Sequence, residues 1–85
     1  MSNFTGEAVT SVSIDEIKKL VGMQLGQRYV NDKDRFVEDL GAESADIANL
    51  VAAAEEKFGI TIKEAELASL FTPDDLFLLI KKRMQ

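Results

Sequence analysis

Ser44 is the residue of this chain whose surroundings most clearly suggest chemistry. It follows Glu43, precedes Asp46 and stands at the predicted start of a helix that runs to Phe58. A helix N-terminus offers unpaired amide groups and a partial positive charge, and both favour a phosphate group. The helix boundary by itself favours Ser44 as a plain cap of the helix, which is a common use of serine. A serine at this edge would also be accessible to a modifying enzyme.

The composition indicates that another protein would carry out any covalent chemistry at Ser44. The sequence contains no histidine and no cysteine. A serine nucleophile therefore lacks its usual general base, and the common zinc sites lack their ligands. A carboxylate pair could still transfer protons, but it needs a pocket that raises one pKa, and a chain this short rarely builds one. We expect no catalytic residue, no metal site and no enzymatic activity.

The charge of the chain restricts its partners. Fifteen acidic and ten basic side chains give a net charge of −5, which repels nucleic acid and anionic lipid and favours partners with basic patches. The first twelve residues have neither the basic nor the apolar region of a signal peptide, and no apolar run is long enough to span a bilayer. The expectation is a monomeric cytoplasmic protein that does not insert into membranes.

The first helix and the segment after it can be read from apolar spacing. Ser13 and Glu16 have the spacing of a capping box, and an apolar stripe from Ile14 to Leu25 follows at helical intervals up to Gly26. A long polar connection comes next. Its apolar residues are expected to enter the core and anchor it; they are Tyr29, Val30, Phe36, Val37 and Leu40.

The rest of the chain predicts three more helices. A second stripe runs from Ile47 to Phe58 and ends at Gly59, a typical C-cap residue. A short third helix is expected between Ala65 and Leu70, and a fourth begins where Thr72 precedes Pro73. The fold class is therefore all-α, a small four-helix bundle with a long first loop. Residues 1–12 are expected to form a flexible lead-in to a domain over residues 13–85.

The segment from Phe36 to Phe58 reads FVEDLGAESADIANLVAAAEEKF and resembles the central segment of acyl carrier proteins. The resemblance extends to GITI at residues 59–62 and TPDD at 72–75, so it covers roughly Ile14 to Lys82. It implies an acyl-carrier-like bundle in which Ser44 carries phosphopantetheine from coenzyme A. It also implies thioester cargo, a phosphopantetheinyl transferase, and partner enzymes of fatty-acid, lipid or polyketide-type synthesis. With this motif, attachment becomes the favoured role of Ser44.

The same resemblance implies a docking face around Ser44, formed by Glu43, Ala45, Asp46, Asn49, Ala52 and Glu55. Several of these depart from the family pattern. Glu43 replaces the usual aspartate, Ala45 a leucine, Asn49 an acidic residue and Ala52 a larger apolar residue. Loss of a leucine anchor costs about 1 to 2 kcal/mol. We therefore expect weak docking to standard fatty-acid enzymes and a specialised carrier rather than the housekeeping one.

Two further points stay open at the level of sequence. Ala48 and Ala54 are expected to face inward where the family has larger side chains, which would enlarge an acyl pocket. Compensation by Phe36, Phe71 or Phe77 is an equally good interpretation. The alternatives to an acyl carrier are an unmodified interaction module with the same fold, and a peptidyl or aminoacyl carrier that would use Ser44 in the same way.

Overall fold

A computed structural model describes residues 12–84, and these residues form four α-helices. We number them α1 (Ile14–Leu25), α2 (Ser44–Phe58), α3 (Glu64–Leu67) and α4 (Pro73–Met84). The all-α prediction with a long first loop and a short third helix is confirmed, although α3 is shorter than expected and begins earlier. The predicted lead-in lies outside the described residues except for Val12, and so does Gln85.

Helix α1 begins and ends where the sequence predicted. The Glu16 amide donates to Ser13 Oγ at 3.3 Å, and the Ser13 amide donates to the Glu16 carboxylate at 3.2 Å, which completes the capping box. Gly26 closes the helix at φ 67°, a left-handed conformation that favours glycine. The chain then folds back closely, because a Cβ on Gly22 would lie 2.7 Å from the carbonyl oxygen of Gln27.

The core lies between α1, α2 and α4, each of which contacts the other two. Each helix contributes the apolar side of its stripe, and the loops add four more buried residues. The buried hydrophobic residues are Ile17, Leu20, Val21, Phe36, Ala42, Leu50, Val51, Ala54, Ile62, Leu70, Leu76 and Ile80. Within the described part of the chain, no helix has the length and apolar character needed to cross a membrane.

The N-terminus of α4 is also capped by side-chain hydrogen bonds. Thr72 accepts the Asp75 amide at 3.1 Å, while the Asp75 carboxylate accepts the amides of Phe71 at 2.9 Å and Thr72 at 3.1 Å. Pro73 occupies the first helical position and is fully buried. The Thr72–Pro73 prediction is therefore confirmed, and the cap holds Phe71 in a defined backbone conformation.

Arg83 ties the last turn of α4 to the region of α3. Its guanidinium forms an ion pair with Glu66, and its Nε donates to the Thr61 carbonyl at 3.3 Å. The Glu66 carboxylate also accepts the Lys63 amide at 2.9 Å. The hydrogen bond from the Lys63 amide, followed by that from Arg83, lowers the pKa of Glu66 from its ordinary value of 4.5.

We expect these contacts to make stability depend on pH in the acid range. Because the folded state holds the pKa of Glu66 below 4.5, its contribution is complete above that pH and is lost as the pH falls through the lowered value. Urea unfolding between neutral and acid pH should show a smaller loss of stability for Glu66→Gln than for the wild type. Glu64→Gln is the matched control, since Glu64 is exposed and makes no ion pair with residues 12–84. If the free energy of unfolding falls equally with pH in all three proteins, the Glu66 carboxylate is not the source of the pH dependence.

Candidate functional site

Phe36 anchors the long loop that leads to Ser44. Its side chain is 1% exposed, and its amide donates to the Phe71 carbonyl at 2.8 Å. Its own carbonyl accepts the Ala42 amide, also at 2.8 Å. These two bonds join the start of α4 to a residue two positions before Ser44. The loop is therefore held against the bundle, as the sequence predicted.

Only part of the predicted anchoring is correct. Val30 and Leu40 are half-buried against the core, but Tyr29 is 83% and Val37 59% exposed. The prediction was wrong for these two residues. Residues 36–40 form turns, in which no helical or strand period determines which apolar side chain faces inward. Within residues 36–40, Phe36 is fully buried and Leu40 packs partly against the core.

A turn at Gly41 connects the long loop to α2. Gly41 adopts φ 69°, its amide donates to the Val37 carbonyl at 3.1 Å, and Ala42 is buried directly after it. The Gln27 side chain supports this turn by donating to the Leu40 carbonyl at 3.3 Å. Nothing in the sequence marked Gln27 for that role, because the contact joins residues thirteen positions apart across the fold.

Ser44 is exposed and is the first residue of α2. Glu43, in extended conformation, occupies the N-cap position, so the interpretation of Ser44 as a helix cap is wrong. The Ser44 hydroxyl makes no hydrogen bond to another residue within 12–84. The first amides of a helix have no intrahelical acceptor, and Ser44 lies at this end of α2 with its hydroxyl unengaged by residues 12–84. This arrangement fits a serine-linked phosphodiester both sterically and electrostatically.

The docking face is only partly available to a partner. Glu43, Ala45, Asn49 and Ala52 are exposed, as expected. Asp46 is half-buried and accepts the Glu43 amide at 2.9 Å. Glu55 is also half-buried, and its carboxylate accepts the Ile62 amide at 2.8 Å. Glu55 therefore holds the segment after α2 in place, and its carboxylate is already engaged.

The two alanines expected to face inward differ from each other. Ala54 is fully buried, but Ala48 is exposed, so the inward placement of Ala48 was wrong. Phe71 does not supply the compensating bulk that the alternative interpretation required, since its side chain is 58% exposed. The hypothesis of a larger acyl pocket now depends on Ala54 alone.

Comparison with known proteins agrees with this geometry. A family model described as "Phosphopantetheine attachment site" matches residues 14–79, which defines the class of the domain as a phosphopantetheine-bearing one. Acyl carrier proteins from Wolinella succinogenes and Buchnera aphidicola subsp. Baizongia pistaciae are 42% and 39% identical over 69 residues. Each alignment covers 79% of this chain, and 91% and 88% of the respective relative. The chain belongs to the acyl carrier protein family.

Solved structures show the same fold at lower sequence identity. The solution structure of the acetyl actinorhodin acyl carrier protein from Streptomyces coelicolor matches with a TM-score of 0.70 at 23% identity, over 89% of this chain and 94% of the other. A crystal structure of an acyl carrier protein from Thermotoga maritima matches with a TM-score of 0.71 at 22% identity, over 94% and 95%. Family membership makes phosphopantetheine the prosthetic group and makes the chain a carrier rather than an enzyme.

Proposed function

We propose that Ser44 is the attachment site of phosphopantetheine and that the chain carries acyl groups as thioesters on this arm. The observation that carries the proposal is the exposed hydroxyl of Ser44 at the first position of α2. The family match over residues 14–79 includes this position and the loop that holds it. The bonds of Phe36 to Phe71 and Ala42 keep the helix start in a defined place for a modifying enzyme.

The attachment step needs a transferase and coenzyme A. The Ser44 oxygen forms a bond to the phosphorus that bears the pantetheine arm, and the bond from that phosphorus to the bridging oxygen of the diphosphate breaks. Adenosine 3′,5′-bisphosphate leaves, and the hydroxyl proton passes to a base of the transferase, since this chain has no histidine. The new phosphodiester then lies beside the first amides of α2, which favour its negative charge.

The partners follow from the exposed acids near Ser44. Glu38, Asp39 and Glu43 are exposed close to the helix start, and they suit a transferase and acyl-loading or acyl-using enzymes with basic patches. The proposed pathways are fatty-acid, lipid or polyketide-type synthesis. A peptidyl or aminoacyl carrier would use the same serine, but the curated relatives at about 40% identity are named acyl carrier proteins. Monomeric state and cytoplasmic location stay predictions.

The proposal is tested by incubating the full chain with coenzyme A, magnesium and a broad-specificity phosphopantetheinyl transferase. Intact mass should increase by one phosphopantetheine, and fragmentation of the digested product should localise the group to Ser44. No increase, even with the transferase of the same host, would reject the proposal in favour of an unmodified interaction module. A group found on any other serine would reject the site.

We also expect a larger side chain at Ala45 to strengthen docking. Ala45→Leu adds apolar area at an exposed position beside Ser44 and costs little helix propensity. The gain should be about tenfold in the affinity of the unmodified chain for the broad-specificity transferase, equivalent to about 1.4 kcal/mol. Ala65→Leu, an exposed alanine on α3, is the matched control and should leave the affinity unchanged. Titration calorimetry would measure both, and an equal gain in the control would contradict a docking role for position 45.

A further inference from the structure

A second surface of the molecule combines an exposed methionine with several cations. Met23 on α1 is 76% exposed and lies in two grooves of about 300 and 240 Å³, both of which also include Lys19. Lys57 borders the larger groove, and Lys18 and Arg28 border the smaller one. We call this set of five residues the Met23 surface. Its positive character contrasts with the net charge of −5 of the whole chain.

The cations of the Met23 surface are mostly available for a ligand. Lys19, Arg28 and Lys57 are exposed and form no ion pair with residues 12–84. Lys18 is already paired with Asp32 at 2.9 Å. Glu16 lines the larger groove, and its carboxylate accepts the Ser13 amide. Cations outnumber acids in the lining of both grooves, since Glu16 is the one acid among these lining residues, so each groove has a net positive charge around Met23.

We propose that the Met23 surface docks an acidic segment of a partner protein, one that places an aliphatic side chain against Met23. Charge complementarity favours carboxylates beside Lys19, Arg28 and Lys57. The exposed thioether of Met23 adapts readily to an apolar side chain, which a nucleic acid backbone does not supply. A second copy of this chain fits less well, because the acids beside its exposed Val37 are already engaged within the chain. The Glu38 carboxylate lies 3.9 Å from the Arg35 guanidinium, and the Asp39 carboxylate accepts the Arg35 amide at 2.8 Å.

The location of this surface would allow two partners to bind at once. Lys57 follows Ser44 by thirteen residues on the same helix, which corresponds to about 20 Å along its axis. A short segment bound on the Met23 surface would leave the start of this helix, with Ser44, uncovered. It would hold the carrier in an assembly while a separate enzyme acts on the arm. This inference does not depend on modification of Ser44.

The test uses the full chain, with and without phosphopantetheine, and a defined probe. The probe is a short acetylated and amidated peptide of glutamates with two adjacent central leucines, and its control has serines in place of the leucines. Chemical-shift mapping should place binding of the probe at Lys19, Met23 and Lys57 in both forms of the chain. The serine peptide should bind more weakly, and Met23→Ala should remove that difference.

Charge reversals separate this site from general attraction. Lys19→Glu combined with Lys57→Glu should weaken binding of the leucine peptide at least about tenfold. Lys63→Glu combined with Lys82→Glu changes the net charge equally at two other exposed lysines and should weaken it less than about threefold. Equal weakening by both pairs, or shifts centred elsewhere, would overturn the proposal. Sedimentation showing self-association that only the first pair abolishes would also overturn it, because the occupant would then be a second copy.

Discussion

Ser44→Ala is expected to abolish phosphopantetheine attachment completely, while Ser69→Ala leaves it intact. Both serines are exposed, but only Ser44 stands at the start of a long helix with its hydroxyl unengaged by residues 12–84. Ser69 follows the short α3, and its hydroxyl donates to the Glu66 carbonyl at 3.1 Å. Removal of one oxygen atom from Ser44 removes the nucleophile without removing a buried contact. The effect on modification should therefore be total, and the effect on folding small.

Intact mass after incubation with coenzyme A and transferase measures this result. Circular dichroism melts of both variants should match the wild type within a few degrees, since substitutions on the surface away from caps usually change stability by less than about 0.5 kcal/mol. Attachment that persists in Ser44→Ala would contradict the assigned site. Loss of attachment in both variants, with melts unchanged, would show that the assay responds to something other than the acceptor hydroxyl.

Phe36→Ala is expected to destabilise the fold by about 3 to 5 kcal/mol, whereas Phe71→Ala costs less than about 1 kcal/mol. The two residues share a backbone hydrogen bond of 2.8 Å, but the Phe36 side chain is 1% exposed and that of Phe71 is 58% exposed. The same chemical change therefore creates a cavity at one residue and little disturbance at the other. A domain of this size has about 4 to 13 kcal/mol of stability in total. The Phe36→Ala variant should therefore be only marginally stable, or unfolded.

Urea unfolding monitored by circular dichroism would test the pair. Val51→Ala, a smaller truncation in the same core, gives a second measurement if Phe36→Ala is too unstable to purify. Similar losses for the two phenylalanine variants would contradict the assigned roles of their side chains. If Phe36→Ala folds, its modification at Ser44 should be slower than in the wild type, because Phe36 holds the backbone of Ala42 near the start of α2.

The position of Ser44 thus depends on a short series of contacts outside any helix. Phe36 is buried, its carbonyl holds Ala42, and Gly41 supplies the left-handed turn between them. Helix α2 supplies the amides at its N-terminus, and Glu43 rather than Ser44 takes the capping position. This leaves the serine hydroxyl available to a transferase. In the role proposed for Ser44, this chain, which has neither histidine nor cysteine, supplies the acceptor hydroxyl and the transferase supplies the base.

Local sequence determined both ends of α1, the end of α2 and the start of α4. The Ser13–Glu16 box, Gly26, Gly59 and the Thr72–Pro73 start all lie at the ends that the structure shows. Each signal acts within one helical turn, where a side chain meets a nearby amide or a glycine adopts a positive φ. The apolar stripes of α1, α2 and α4 likewise identified most of the core, because a helix buries the residues on one side.

Tertiary structure alone decided which residues outside these patterns are buried or engaged. Val37 was expected to be inside and Phe71 to add bulk to the core, yet both are exposed, and the bond from the Ile62 amide to Glu55 was not expected. Ala48, which the family resemblance rather than the apolar stripe of α2 placed inside, is exposed as well. Turn residues have no helical or strand period from which to infer whether a side chain faces the core. A hydrogen bond between residues on different elements leaves no signal in the local sequence. The sequence determined the helices and made Ser44 the candidate site by its motif, and the packing of the first loop against the start of α4 determined the position of Ser44.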